Sequence, residues 1–348
     1  MVKKKWVALL ISALGIALVL GALERASANR LVTGTSFVMD TVVQYSFYGK
    51  HAQEARDMVA QELSSIESRM SMHLEDSEIS ELNRNAGKNA VQLSEDTYEL
   101  LSRSVAYAEQ TSGIFDVTIA PLASAWGITS DHPQIPEQSR IDALLALVDY
   151  QDIQFDPDSA SARLAREGQA VDVGGIAKGY ACDVARRIAQ ECGVKSGYLS
   201  IGGNIMVIGE KPDKTPFKFG IRDPRGTPNQ YFGVVTIPDL TIATSGDYER
   251  FFEQGGVRYH HILDPRTGYP AQEGLMSVSV ISPDGAYADF MSTWLFIMGR
   301  EFVVENLNNF DCGLVAVDLE NRVYVSENLK DRFFPADQTG VYQFEGTP

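Results

Sequence analysis

The 348-residue chain is poor in the residues that build many familiar centres. Its three cysteines, Cys182, Cys192 and Cys312, are too few and too scattered for a disulfide framework, and no CxxC pair or Cys/His cluster has zinc-ligand spacing. Five histidines, at 51, 73, 132, 260 and 261, form no HExxH. Neither a Walker A loop nor GxGxxG occurs, and GxSxG, the nucleophile elbow, is missing too. Basic residues are also short, 30 against 46 acidic, for a net charge of −16. Phosphate backbones need a concentrated basic surface, so a nucleic-acid partner is not expected. Internal repeats and low-complexity tracts are absent. What remains is ordinary for a globular protein, 44 % hydrophobic and 22 % charged, and too apolar for disorder.

The first 28 residues stand apart. Lys3, Lys4 and Lys5 precede an uncharged run of 18 residues from Trp6 to Leu23, and Ala26-Ser27-Ala28 has the small-residue spacing of a signal-peptidase site. That pattern reads as an export signal. The run also reaches the lower limit for a spanning helix, so a retained anchor through residues 6–23 fits equally. No cysteine lies near the site, which excludes a lipoprotein anchor. In either reading the basic flank stays inside and the body, 29–348, is exported: periplasmic, free or tethered to the inner membrane. Residues 1–28 carry a net charge of +3, so the exported body stands at −19.

Along the body, residues 31–48 alternate as a strand does. Ala55, Met58, Val59, Leu63, Ile66 and Met70 recur at helical spacing and predict a helix over 52–70. A second is expected from Ser94, as N-cap, to Gln110, with Thr111-Ser112-Gly113 as its stop. Residues 127–139 read as a surface loop, followed by a short helix near 139–147. A hairpin is expected next, with 162–165 and 170–173 flanking an Arg166-Glu167-Gly168 turn. Ile176, Tyr180, Val184 and Ile188 place an amphipathic helix over 176–192. Strands are expected at 197–208, 216–222, 231–237, 240–244, 276–282, 312–317 and 322–326, with a helix over 286–298. Strands that outnumber helices and follow one another directly predict an α+β fold in one two-lobed unit, not a doubly wound parallel sheet.

Four segments could carry chemistry. Asp172-Val-Gly-Gly175-Ile-Ala-Lys178-Gly179 sits between an expected strand and a helix N-terminus, where main-chain N–H groups and the helix dipole favour an anion; it also suits an ordinary tight turn. Asp289 and Thr293 share one face of the late helix and could offer hard oxygens to Mg²⁺. Alternatively, Asp289 caps that helix and Thr293 bonds back to a helical carbonyl. Thr244-Ser-Gly-Asp-Tyr-Glu-Arg250 precedes the adjacent His260 and His261 and a DPRTG turn; a histidine there could serve as a general base, or the pair could bond the turn and face solvent. Finally, Phe115 and Trp126 flank turns and could stack on a planar ring, although such aromatics are more often core.

Taken in order, Met39-Asp40-Thr41, Ser77-Glu78, Leu82-Asn83, GIFDVT (113–118), DVGGIAKGYACD (172–183), GYLSIGGNI (197–205), ATSGDYER (243–250), HHILDPRTGYP (260–270) and Ala288-Asp289 with Ser292-Thr293-Trp294 resemble the ApbE family of FAD:protein FMN transferases. The resemblance runs from about residue 31 to 335. It implies an α+β fold related to tunnelling-fold domains. It also implies that Mg²⁺ polarises the FAD diphosphate while a threonine or serine hydroxyl of an acceptor protein attacks, so that FMN is joined by a phosphodiester and AMP leaves. Met39, Ile114, Phe115, Asp116, Asp172, Lys178 and Ile262 fall on FAD-contacting positions, and His73 on the place of an aromatic that stacks on the flavin. Gly175, through its carbonyl, Asp289 and Thr293 fall on the metal positions. His261 falls on the position proposed to deprotonate the acceptor.

This chain departs from the family pattern in two of those places. Asp40 stands where a glycine is usual, and the His73 imidazole offers less stacking area than a larger ring, which predicts weaker FAD affinity. No Ser/Thr-Gly-Ala-Thr acceptor motif occurs, so the acceptor is expected in trans. The acceptors implied are subunits of the sodium-translocating NADH:quinone oxidoreductase or of Rnf-like complexes. Two other activities fit the same residues: a Mg²⁺-dependent FAD pyrophosphatase, with water as acceptor, and a flavin-binding protein without turnover.

Overall fold

The computed structural model describes residues 29–345. The segment read as signal or anchor, 1–28, lies outside the described residues. Among the described residues no helix is long and apolar enough to cross a membrane.

A nine-stranded sheet organises the chain. Its strands are β1 (Leu31–Val38), β2 (Thr41–Tyr48), β3 (Ser196–Ile201), β4 (Asn204–Ile208), β5 (Thr241–Gly246), β6 (Leu275–Ser282), β7 (Gly313–Asp318), β8 (Arg322–Val325) and β9 (Gln343–Glu345). They lie side by side in that same order. Every neighbouring pair is antiparallel except the last, β8 with β9. Period-2 alternation assigns the two faces. Met206, Ile208, Val278, Val280, Leu314 and Ala316 face the larger core, whereas Val207, Ile281, Val315 and Val317 face a smaller one, joined by Met276 where a bulge between Leu275 and Ser277 breaks the alternation.

Helices cover the first face and a second sheet covers the other. The helices are α1 (Ala52–Met70), α2 (Glu78–Arg84), α3 (Glu95–Gln110), α4 (Ala120–Trp126), α5 (Gln138–Leu145), α6 (Gly174–Glu191) and α7 (Gly285–Glu305). α1 packs on β1 and β2, α6 on β4, and α7 on β5 and β6. A three-stranded sheet, in the order Phe333–Pro335, Tyr231–Thr236, Lys218–Arg222, closes the smaller core with Phe217, Phe232 and Val235. A third cluster joins α4 and α5 to the two-stranded ribbon Phe251–Gln254 and Val257–His260, where Trp126 stacks on Tyr259 and donates to the Gly268 carbonyl at 2.8 Å. Trp126 is therefore core.

The mixed α+β architecture agrees with expectation, and α1, α3 and the first part of α7 begin and end within a residue or two of it. Several details differ. The 31–48 stretch is two strands, turned at Met39-Asp40. The 197–208 stretch is likewise two, turned at Gly202-Gly203, both with positive φ. α6 begins at Gly174, which puts Gly174 and Gly175 inside its first turn. Residues 170–173 form no strand: Ser161–Leu164 pairs with Ile153–Asp156 and Val91–Gln92, while Asn83 brackets the Val171 main chain through its side-chain amide. Met58, expected inward, is 46 % exposed, because the apolar stripe of α1 follows Ala55, Val59, Leu63 and Ile66.

Candidate active site

The motif segments meet where α6 begins. That helix crosses α7 at a glycine pair. A side-chain carbon on Gly179 would overlap the Gly285 carbonyl oxygen and lie 2.6 Å from the Asp289 β-carbon. Only residues without side chains allow this approach. The closeness lets the buried Asp289 carboxylate accept the Gly179 N–H at 2.8 Å. Residue 175 precedes 179 by four, so this N–H is the one a regular helix aims at the Gly175 carbonyl. Asp289 competes for that proton. Capping of α7 falls instead to Asp284, whose carboxylate accepts the Tyr287 N–H at 2.8 Å. Asp289 is therefore not a cap.

Thr293 lies one turn further along α7, facing Gly175. A carbon placed on Gly175 would be 3.8 Å from the Thr293 hydroxyl and 3.2 Å from the Phe115 ring. The Thr293 hydroxyl does not bond back into its helix; it shares a hydrogen bond with Ser245 of β5 at 3.2 Å. Ser292 bonds back instead, to the Asp289 carbonyl at 2.9 Å, and it also meets Ser245 at 2.9 Å. Ser245 was not singled out from the sequence, where it was one hydroxyl inside ATSGDYER. Only the packing of β5 against α7 reveals it.

The donors gathered here are a carboxylate, a hydroxyl and a main-chain carbonyl, all hard oxygens. No group of three or more His, Cys, Asp or Glu residues that could hold a metal exists among the described residues. One carboxylate with neutral oxygens fits Mg²⁺, which retains waters and shares its coordination with substrate phosphates. Zinc and softer metals would want nitrogen or sulfur.

The two histidines part company. His260 is buried edge-on to Phe296; its Nε2 bonds the Ala271 carbonyl at 2.6 Å, and its Nδ1 accepts the Ile262 N–H at 3.3 Å. It holds the chain on both sides of the DPRTG turn. His261 is half-buried, with an enclosed Nδ1 that has no protein partner, and its main-chain N–H bonds the Arg250 carbonyl at 3.1 Å. Burial, followed by the positive charge of Lys178 and then His260 and Arg250, depresses its pKa to about 3. The imidazole is therefore neutral at pH 7 and, in the free protein, a weak base.

The other expected residues occupy varied settings. Lys178 projects from the first turns of α6, its ammonium 3.5 Å from the Gly174 carbonyl. Asp172 accepts the Gly174 N–H at 2.8 Å and fixes the entry to that helix. Met39, at the β1–β2 turn, donates its N–H to Glu67 at 2.7 Å. Phe115 is buried edge-on to Phe290, Ile114 is half-buried beside it, and Ile262 is buried. The Asp116 carboxylate is committed inward, to the Thr118 N–H and hydroxyl at 2.8 and 2.6 Å and to the Tyr150 N–H at 2.9 Å. Burial raises its pKa against those bonds. His73 stands exposed on the turn between α1 and α2, and no hydrogen bond or aromatic contact among the described residues joins its ring to the group.

Relatives share both sequence and shape. A FAD:protein FMN transferase of Klebsiella pneumoniae is 31 % identical over 312 residues, covering 89 % of this chain and 96 % of its own. One of Treponema pallidum is 32 % identical over 278 residues, covering 76 % of each. The crystal structure of the ApbE protein of Thermotoga maritima superposes with a TM-score of 0.82 at 33 % identity, over 88 % of this chain and 100 % of that one. The flavin transferase ApbE of Vibrio cholerae follows at 0.78 and 25 %, over 87 % and 99 %. The ApbE family profile matches residues 39–317, a span that holds all the residues placed above, and on that match the chain belongs to the ApbE family.

Proposed function

We propose that this protein is a Mg²⁺-dependent FAD:protein FMN transferase, which moves FMN from FAD to a threonine or serine hydroxyl of an acceptor protein and releases AMP. The observation that carries the reading is the meeting of Gly175, Thr293 and Asp289 at the start of α6, with His261 close enough to Lys178 to feel its charge. The activity for which the relatives are named supports it. Bound Mg²⁺ would be held by the Asp289 carboxylate, the Thr293 hydroxyl and the Gly175 carbonyl, and would polarise the diphosphate and offset its charge. Lys178 and the N-terminal dipole of α6 attract the phosphates. Met39, Ile114, Phe115, Ile262 and the segments around Asp116 and Asp172 line the FAD position, with His73 at its exposed side.

His261 takes the acceptor's hydroxyl proton. In the free protein its pKa is low first because of burial and then because of nearby positive charge, that of Lys178 foremost. An anionic diphosphate beside Lys178 offsets that push and raises the basicity of the imidazole once substrate is bound. The new acceptor O–P bond forms as the P–O bond to AMP breaks, and AMP carries away the released phosphate oxygen.

The reading extends to an exported body acting on acceptor subunits with a Ser/Thr-Gly-Ala-Thr motif, of the sodium-translocating NADH:quinone oxidoreductase or Rnf type. The test is intact-mass spectrometry of such an acceptor after incubation with FAD and Mg²⁺. The expected product is heavier by one FMN less water, with one AMP released per acceptor. FMN and AMP released without labelled acceptor would instead indicate a pyrophosphatase, and FAD binding without either product a carrier.

A further inference from the structure

The two-residue turn between β1 and β2 is built against local preference. Met39 and Asp40 both have positive φ, 55° and 54°. Turns of this kind favour Asn-Gly or Gly-Gly, and a methionine in the left-handed region is uncommon. Such strain persists where neighbours over-determine it, and it concentrates at ligand clamps. Two neighbours do so here. Glu67 on α1 accepts the Met39 N–H at 2.7 Å. On the opposite side the Arg250 guanidinium donates to the Asp40 carbonyl at 2.9 Å and pairs with its carboxylate at 2.8 Å. The Arg250 carbonyl in turn accepts the His261 N–H at 3.1 Å. A single residue spans from the turn to the main chain of His261.

We propose that Arg250 is a positioning residue: its side chain holds the Met39-Asp40 turn and its carbonyl holds His261, so that both are set at one separation across the FAD site. The inference rests on the transferase reading. The ion pair is exposed, 37 % at Arg250 and 64 % at Asp40, and pairs so exposed contribute little to stability. A glycine at position 40 would adopt the same backbone without strain. Stability therefore does not explain the pair; fixing the turn relative to His261 does.

The opposing signs make the test. Asp40→Gly, Asp40→Asn, Arg250→Gln and the double variant Asp40→Gly/Arg250→Gln are prepared in the full-length chain. For each, kcat and KM for FAD, FAD affinity by flavin fluorescence quenching, and melting temperature are measured. Asp40→Gly is expected to melt at or above the wild-type temperature while KM and Kd for FAD rise about fivefold, the effect of one lost interaction. Arg250→Gln, which also loses the bond to the Asp40 carbonyl, is expected to give at least that rise, the double variant no more than Arg250→Gln alone, and Asp40→Asn, which still accepts from Arg250, close to wild-type values. Wild-type KM and Kd in Asp40→Gly would overturn the proposal. So would additive losses in the double variant, or a melting temperature that falls in step with affinity. A wild-type chain that labels no acceptor would overturn the transferase reading instead, and the FAD affinities would still report on the clasp.

Discussion

Asp289 on α7 accepts the Gly179 N–H of α6 at 2.8 Å, so the carboxylate that joins the two helices is also the one proposed to hold Mg²⁺. The two duties separate on substitution. Asp289→Asn keeps an acceptor for Gly179 and loses the charge. Transfer is expected to fall by about 3 kcal/mol of transition-state stabilisation, roughly a hundredfold, while the melting temperature changes little. Asp289→Ala should lose both. AMP release titrated against Mg²⁺, beside thermal melts, checks this; an asparagine variant with wild-type Mg²⁺ response would remove Asp289 from the metal set.

Gly179 tolerates no side chain. A methyl there would overlap the Gly285 carbonyl and press within 2.6 Å of the Asp289 β-carbon, so α6 and α7 would have to separate. Gly179→Ala is expected to cost about 1–3 kcal/mol as overpacking, despite the better helix propensity of alanine. Urea unfolding measures it, and an alanine variant as stable as the parent would contradict the crossing described.

Ser245 orients Thr293 and Ser292 through its hydroxyl. Ser245→Ala removes both bonds from a buried site and is expected to cost about 1–2 kcal/mol of stability. Half-saturation with Mg²⁺ should move several-fold higher, with kcat at saturating metal near the parent value. If the metal dependence stays put, Ser245 serves only the packing of β5 on α7.

The two histidines predict different failures. His261→Ala should lower FMN transfer by about 10²–10⁴-fold, with FAD binding and melting temperature close to wild type. His260 looks like an internal control in sequence, but it bonds the Ala271 carbonyl and the Ile262 N–H and packs on Phe296. His260→Ala should therefore destabilise the fold by about 1–3 kcal/mol and reduce transfer through displacement of the adjacent segment. Equal stability losses in both variants would make His261 structural.

Acid should weaken the fold through His261. Its pKa is near 3 when folded and about 6.5 when unfolded, so below pH 6.5 the unfolded chain binds more protons and stability rises with pH. Between pH 7 and 5 the loss from this residue amounts to at most about 2 kcal/mol. His260, also depressed by burial, adds in the same sense, whereas Asp116 and Asp183, raised by burial, act in the opposite sense. Comparing the pH dependence of the melting temperature in wild type and His261→Asn isolates one residue: the variant should show the shallower fall. Parallel curves would show that His261 protonates freely in the folded protein.

What could be read from the sequence was what local rules govern. The stripe of α1 and the Ser94 cap of α3 are set by neighbours three or four residues away, and both stand in the structure. Ser161–Leu164 belongs to a different hairpin from the one expected: it pairs backward with Ile153–Asp156 across the turn at 157–160, not forward with 170–173, and its other neighbour, Val91–Gln92, lies some seventy residues earlier, where no local rule links them. The Phe251–Gln254 and Val257–His260 ribbon did leave one: Gly255-Gly256, with φ of 62° and 79°, is a hairpin signal that was passed over. At the site, local patterns could not choose between a capping and a ligating Asp289. The choice turns on Gly179, which lies on another helix 110 residues away.

Because the nine strands lie in the sheet in the order the chain makes them, every connection between antiparallel neighbours is either a tight turn or an excursion that leaves the sheet and returns beside its starting point. The excursion 49–195 brings Gly175 and Lys178, 247–274 brings Arg250 and His261, and 283–312 brings Asp289 and Thr293. Each can lengthen or change composition without altering the register of the strands that anchor it. The strands of the ribbon 251–260 and of the hairpin 218–236 are thereby free to diverge, whereas α6 and α7, locked together at Gly179 and Gly285, allow no such change.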